Sequence, residues 1–286
     1  MSGRTIAWVD GRWGEGNVPL MGATTHGAWL ASVVFDGARA FRRMAPDLDR
    51  HAARCVASAT AIGLAPTHDA ATIERLAWEG IDRFADDAEL YIRPMFWAED
   101  GFLAGAPEST RFALIIDEAP LRAGVGFTAC LGRLRRPGPE QMPTEAKCAG
   151  LYVQVGRMER EARARGFDAT IVLDPAGNVA EFTAANLFAV RDGVVATPAP
   201  NRTFLNGITR QRTIALLREA GRTVEERTLT FEDVRDADEV FATGNYAKIR
   251  PCVRIEDRDL QPAPVAAEAW ARYQDFAKRS FRPRGS

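Results

Sequence analysis

A chain of 286 residues is long enough for two domains of ordinary size and can bury a substantial core without disulfide staples. Its formal net charge of −1, from 37 basic and 38 acidic residues with no long single-sign run, argues against nucleic acid or a membrane surface as the main partner. A small-molecule partner is expected, and the absence of an apolar leader core or a bilayer-length stretch makes the cytoplasm the expected compartment. Cys55, Cys130, Cys148 and Cys252 form no CxxC pair and read as reduced, buried thiols. With three histidines and no HExxH motif, no metal site is expected.

In chain order, HAARCVASATAIGL (51–64) has helical apolar spacing and stops at Gly63, ahead of Pro66. ATIERLAWEGIDRFA (71–85) reads as a second helix, with Thr72 placed to cap it. LYIRPMFW (90–97) and RFALIID (111–117) are rich in β-branched and aromatic residues and read as strands, so the first third is α+β. From 118 to 146 the chain is dense in Gly and Pro and reads as linker, apart from a short strand candidate GFTACLG. A boundary near residue 120 follows, dividing the chain into 1–120 and 121–286. YVQVGRMEREARARGF (152–167) is a helix, after which DATIVLD, NVAEF and NLFAVRDGVVATP supply short strands with an Asp192-Gly193 hairpin signal. ITRQRTIALLREAG (208–221) is an amphipathic helix, TVEERTL a strand, LTFEDVRDA a short helix and DEVFAT (238–243) a strand.

One residue type is conspicuously scarce. Lys147, Lys248 and Lys278 are the only lysines beside 34 arginines, so plain positive charge is supplied by Arg throughout. An ε-amine, unlike a guanidinium, can be desolvated, lose its proton and attack a carbonyl to give a Schiff base. Lys147, in TEAKCAGLY, is therefore a candidate for chemistry, with a solvated surface lysine as the plain alternative. An imine-forming lysine engaged in amino-group chemistry usually works with pyridoxal phosphate, which needs phosphate donors, an acid for its ring nitrogen and a polar group near its ring hydroxyl. FLNGITRQR offers the first at a helix start, where Gly207 permits close approach and Ile208 and Thr209 present N–H groups, although most such starts are only caps. Glu181 sits in a strand among small and apolar neighbours, an unusual place for a carboxylate.

KxxGxY at 147–152, DxxGxVxExxxxNxF at 174–188, GITR at 207–210 and YIRP at 91–94 together resemble the class IV, or fold-type IV, pyridoxal phosphate aminotransferases. Within that group the likeness is greatest to branched-chain amino acid aminotransferases, and VVFDGARAF (33–41) with LDRHAARCVASA (48–59) extends it toward the N-terminus. The resemblance implies a two-domain α+β fold, with a small N-terminal α/β domain and a larger C-terminal pseudo-barrel domain that binds pyridoxal 5′-phosphate. It makes Lys147 the imine-forming residue and proton shuttle, Glu181 the partner of the pyridine nitrogen and Tyr152 the neighbour of the ring hydroxyl. Arg54, Gly207, Ile208, Thr209, Gly244 and Asn245 are expected around the phosphate, and Phe35, Tyr91, Arg93 and Tyr246 around the substrate. A core-aromatic role remains open for Phe35, Tyr91 and Trp97.

The implied activity is ping-pong transfer of an amino group from a branched-chain or other hydrophobic amino acid to a 2-oxo acid, by a homodimer. The chain also departs from the family pattern. Leu151 replaces an Asn, Asn245 and Tyr246 replace a Thr-Ala pair, Leu30 stands where a pocket tyrosine is usual, and the 118–124 connection is short. Tyr246 is expected to crowd the place of the substrate carboxylate, which keeps open an (R)-amine or D-amino acid transaminase. An aminodeoxychorismate-type lyase and a cofactor-binding protein without turnover are the remaining alternatives.

Overall fold

The computed structural model describes residues 3–260 and 262–285. The chain divides into two compact units, one comprising Met1–Leu121, Ala146–Leu151 and Phe276–Ser286, the other Arg122–Glu145 and Tyr152–Asp275. A single cut near residue 120 leaves both Ala146–Leu151 and Phe276–Ser286 with the second unit, whereas they cluster with the first. Lys147 therefore belongs to the first unit although it follows the Gly/Pro-rich connection.

The first unit is an antiparallel sheet with helices on one face. Its elements are β1 (Thr5–Val9), β2 (Arg12–Glu15), α1 (His26–Leu30), β3 (Val33–Phe35), β4 (Ala38–Phe41), α2 (Leu48–Ala61), α3 (Ala70–Ile81), β5 (Glu89–Ala98) and β6 (Thr110–Glu118). The strand order is β2-β1-β6-β5-β3, with β4 also paired to β5. Asp10 and Gly11 take φ of 49° and 82°, the left-handed pair that a tight two-residue hairpin requires between β1 and β2. Along β5, Leu90, Ile92 and Phe96 point one way and join Ile6, Leu114 and Ile116 in a core with α2 and α3. Tyr91, Arg93 and Met95 point the other way, as the two-residue strand period demands. Pro94 is tolerated within β5 because it lies at the Asp36–Gly37 step between β3 and β4, where only its carbonyl is needed, accepting from the Asp36 N–H.

The helices shift slightly from the sequence pattern. α2 starts at Leu48 rather than residue 51, and α3 is capped by Asp69, whose side chain accepts the Thr72 N–H at 2.8 Å, so Thr72 lies inside the first turn. All four cysteines are buried, and burial pushes the Cys130 thiol up to about 11.

The second unit is a larger mixed sheet with crossover helices. It contains β7 (Phe127–Arg135), α4 (Tyr152–Ala164), β8 (Ala169–Leu173), β9 (Val179–Phe182), β10 (Asn186–Arg191), β11 (Val194–Pro198), α5 (Ile208–Glu219), β12 (Val224–Arg227), α6 (Phe231–Arg235), β13 (Glu239–Gly244), β14 (Lys248–Ile255), β15 (Arg258–Asp259) and all but the last two residues of α7 (Pro264–Ala277). The order is β12-β11-β10-β13-β14-β7-β8-β9, with β15 on β14. The parallel pairs β7–β8 and β11–β12 are joined through α4 and α5, the long connection that parallel strands need. β9, at the end of this order, packs back against β10 and β11, so the sheet curls on itself. Its interior is filled by Phe127, Phe182, Leu187, Val240 and Ile255. Among the described residues no helix is long and apolar enough to cross a membrane.

Candidate active site

In the first unit, Lys147 is clamped through its backbone. Its N–H donates to Ser58 Oγ on α2 at 3.1 Å, its carbonyl accepts the Phe35 N–H at 3.1 Å, and the next residue, Cys148, bridges to Val34. The ε-amine then stands 4.9 Å from the centre of the Phe35 ring. Phe35 in turn lines a cavity of about 940 Å³ on the sheet face opposite α2 and α3, together with Tyr91, Arg93, Met95, Ile115 and Asp117. Gly37 is required here, since a Cβ at that position would lie 2.5 Å from the Tyr91 hydroxyl. The Lys147 amine and a cavity wall thus share one aromatic ring.

Arg54 lies one helical turn before Ser58 on α2, on the same face. It makes a bidentate pair with the fully buried Asp36, Nε to Oδ2 at 2.6 Å and Nη2 to Oδ1 at 2.9 Å. His51 Nδ1 lies 2.7 Å from Asp36 Oδ1, and the Gly37 N–H donates to the same oxygen at 2.7 Å. Burial alone raises the Asp36 carboxyl, but the Arg54 guanidinium and the His51 ring outweigh it and hold the group well below the usual carboxylate range. The cation at Arg54 is therefore fixed in direction by a buried anion.

In the second unit, Glu181 on β9 is buried and carries an ion pair to Arg136 Nη2 at 2.9 Å, with Asn186 Nδ2 donating to its other oxygen at 3.3 Å. Asn186 also donates to the Leu205 carbonyl at 3.0 Å, tying this carboxylate to the segment that enters α5. Gly207 begins that helix, and a Cβ on it would fall 2.1 Å from Asn186 Oδ1, so only glycine fits. Arg210 of the GITR stretch is buried and anchors the helix start to Glu226, Asn206 and the Pro198 carbonyl at 2.8–3.0 Å. Thr243, the cross-strand partner of Asn186, leads to Gly244 and a three-residue turn closed by Lys248. Lys248 is 1% exposed, and its Nζ donates to Asn245 Oδ1 at 2.7 Å.

Four buried donors, Thr209 Oγ1 and Thr213 Oγ1 on α5 with Thr243 Oγ1 and Asn245 Nδ2 at and just after the end of β13, have no hydrogen-bond partner among the described residues. Buried polar groups are nearly always satisfied, so unpaired donors clustered near a helix N-terminus fit an anionic group such as a phosphate. Tyr152, the first residue of α4, is 37% exposed and Tyr246, at the tip of the turn, 48%.

Residues 33–255 match the family described as Amino-transferase class IV. The chain belongs to the class IV aminotransferases. It is 31% identical over 246 residues to a probable branched-chain-amino-acid aminotransferase of Rickettsia bellii, covering 85% of this chain and 84% of that one. It is also 31% identical over 272 residues to the branched-chain-amino-acid aminotransferase of Escherichia coli, covering 87% and 84%. Among solved structures, an aminotransferase from Brucella abortus bound to the cofactor PLP superposes with a TM-score of 0.95 at 49% identity, over 96% of this chain and 99% of that one.

Four features of this aminotransferase's units escape the sequence motifs. Arg136 hides in the run RLRRP, which reads as linker, and only the need of a buried Glu181 for a cation points to it. Asn186 is a fixed position of the DxxGxVxExxxxNxF pattern, yet its bridge from Glu181 to the α5 entrance is a tertiary fact. Asp36 lies inside VVFDGARAF, and its partners His51 and Arg54 stand three apart on one helix face, a spacing that signals a shared ligand. Asp117 closes the apolar strand RFALIID beside Arg93, from which it is 3.4 Å away.

Proposed function

We propose that this protein is a pyridoxal 5′-phosphate-dependent aminotransferase that moves an amino group from a branched-chain or other hydrophobic amino acid to a 2-oxo acid in two half-reactions. The observation that carries the reading is Lys147, one of three lysines, clamped at both backbone groups with its amine over the aromatic wall of a cavity large enough for an amino acid. When bound, pyridoxal 5′-phosphate supplies an aldehyde for covalent attachment and a ring that takes up the electron pair left when a Cα–H bond breaks. Lys147 Nζ would provide the attaching amine and would take the proton from the substrate Cα and return it. Glu181, oriented by Arg136 and Asn186, pairs with the ring nitrogen, and Tyr152 with the ring hydroxyl.

Gly207, Ile208, Thr209, Thr243, Gly244 and Asn245 hold the phosphate with their backbone and side-chain donors, and Arg54 adds charge. Phe35, Tyr91 and Arg93 line the substrate's place, and Tyr246 borders its carboxylate. The protein acts as a homodimer in the cytoplasm, on small-molecule amino donors and 2-oxo acid acceptors. Mixing the purified holoprotein with L-leucine is expected to convert the pyridoxal spectrum to that of pyridoxamine, and a 2-oxo acid to reverse it. Conversion by D-alanine or an (R)-arylalkylamine but not by L-leucine would overturn the substrate assignment. Release of pyruvate without any acceptor would move the protein to the lyases.

A further inference from the structure

The hairpin that joins β13 to β14 carries a donor whose direction is set by its neighbour. Gly244 pairs with Lys248 across the ladder, so Asn245, Tyr246 and Ala247 form the three-residue loop. Lys248 closes it with φ of 59°, a left-handed conformation that a residue with a side chain keeps only where its surroundings hold it. The side chain is held at its far end. Lys248 is buried, and its Nζ donates to Asn245 Oδ1 at 2.7 Å and stands 5.4 Å from the centre of the Tyr273 ring, itself buried on α7.

An ammonium group has protons to give and nothing to accept with, whereas a primary amide has a donor end and an acceptor end. Lys248 can therefore engage the Asn245 side chain only through Oδ1, and Nδ2 must face away from it. There Nδ2 is buried with no hydrogen-bond partner among the described residues. The same holds for Thr243 Oγ1, two residues earlier, and for Thr209 Oγ1 in the first turn of α5, the helix that packs on β13. Buried donors left in this state fit an anion. Asn245 stands where the family pattern has a threonine, and the exchange has a consequence. A threonine hydroxyl rotates to suit its partner, but an amide that turns over presents its oxygen to the anion and repels it. Asn245 thus needs a neighbour that tells its two ends apart, and Lys248 supplies one.

We propose that Lys248 is a positioning residue: by holding Asn245 Oδ1 it keeps Nδ2 turned toward the phosphate of pyridoxal 5′-phosphate. The proposal rests on the reading above, in which Thr209, Thr243, Gly244 and Asn245 hold that phosphate.

The test follows phosphate rather than turnover. The full chain, stripped of cofactor, is titrated with inorganic phosphate, pyridoxal 5′-phosphate and pyridoxal, as wild type, Lys248→Met, Asn245→Thr and the double variant. Lys248→Met is expected to weaken inorganic phosphate and pyridoxal 5′-phosphate by about tenfold, while pyridoxal, which lacks the phosphate, binds as before. In the Asn245→Thr background the same substitution is expected to change none of the three, since a hydroxyl needs no orienting. A lysine that merely supported the fold would weaken pyridoxal as well, and in both backgrounds. Lys248→Gln, whose own carbonyl can accept from Nδ2 and turn it inward, is expected to act as Lys248→Met does and keeps the test decisive should that variant fail to fold. Phosphate affinity unmoved in a folded Lys248 variant, or an equal loss in the Asn245→Thr background, would overturn the proposal. Failure of the wild type to take up pyridoxal 5′-phosphate would sink the aminotransferase reading instead, while inorganic phosphate would still decide the role of Lys248.

Discussion

Lys147→Ala is expected to remove the covalent cofactor link, its visible absorption and turnover, the last by roughly 10⁴-fold or more, because in the proposed reaction the residue serves as both attaching amine and proton carrier. The informative control is Lys248→Met. Lys248, unlike Lys147, is fully buried, and its Nζ donates to Asn245 Oδ1 at 2.7 Å and lies 5.4 Å from the centre of the Tyr273 ring. Its loss leaves Asn245 Oδ1 without that donor, at about 1–3 kcal/mol of stability, and loosens the turn that carries Gly244 and Asn245. The Lys248→Met protein should therefore unfold more easily and hold the cofactor less tightly while keeping the covalent link. Absorption retained by Lys147→Ala and lost by Lys248→Met would reverse the assignment.

Asp36→Asn is expected to destabilise the first unit by about 3–5 kcal/mol, since it removes the anion from the buried pair with Arg54 and leaves only a neutral amide oxygen beside His51. Urea unfolding at neutral pH reads this directly. The same carboxylate sets a pH dependence whose sign is fixed by its depressed folded-state value. The unfolded chain takes up the Asp36 proton near its ordinary value of about 4, whereas the folded chain does so only at lower pH. The stabilisation is thus complete above about pH 4 and is lost as pH falls through the folded-state value. Wild type should lose stability on acidification more steeply than Asp36→Asn, which lacks this component. Equal acid slopes and equal unfolding midpoints would show that the pair contributes nothing.

Long elements with strong periodicity are legible in this sequence, and short ones defined by their neighbours are not. α2, α3, α5 and the β5–β6 pair follow from apolar spacing to within a few residues at their ends. The β1–β2 hairpin carries the same Asp-Gly signal as Asp192-Gly193, so its turn was readable even though its strands are only five and four residues long. β3 and β4 exist because β5 offers them an edge, a tertiary cause that three- and four-residue segments cannot announce. β14 reads poorly because KIRPCVRI mixes charge and proline into a strand only half of whose residues are fully buried. At the site, the residues proposed to touch a small molecule stand out by type: a rare lysine, a buried glutamate, a glycine at a helix start. Arg136 and Asn186 hold Glu181, Asp36 holds Arg54 and Asp117 pairs with Arg93, partners that lie 45, 5, 18 and 24 positions away in sequence. Only folding brings such pairs together.

Borohydride reduction of the purified holoprotein, followed by peptide mass mapping, tests the central claim most directly. The account predicts one phosphopyridoxyl group per chain, on the peptide that contains Lys147. A group on Lys248 or Lys278, or none on any lysine, would contradict it.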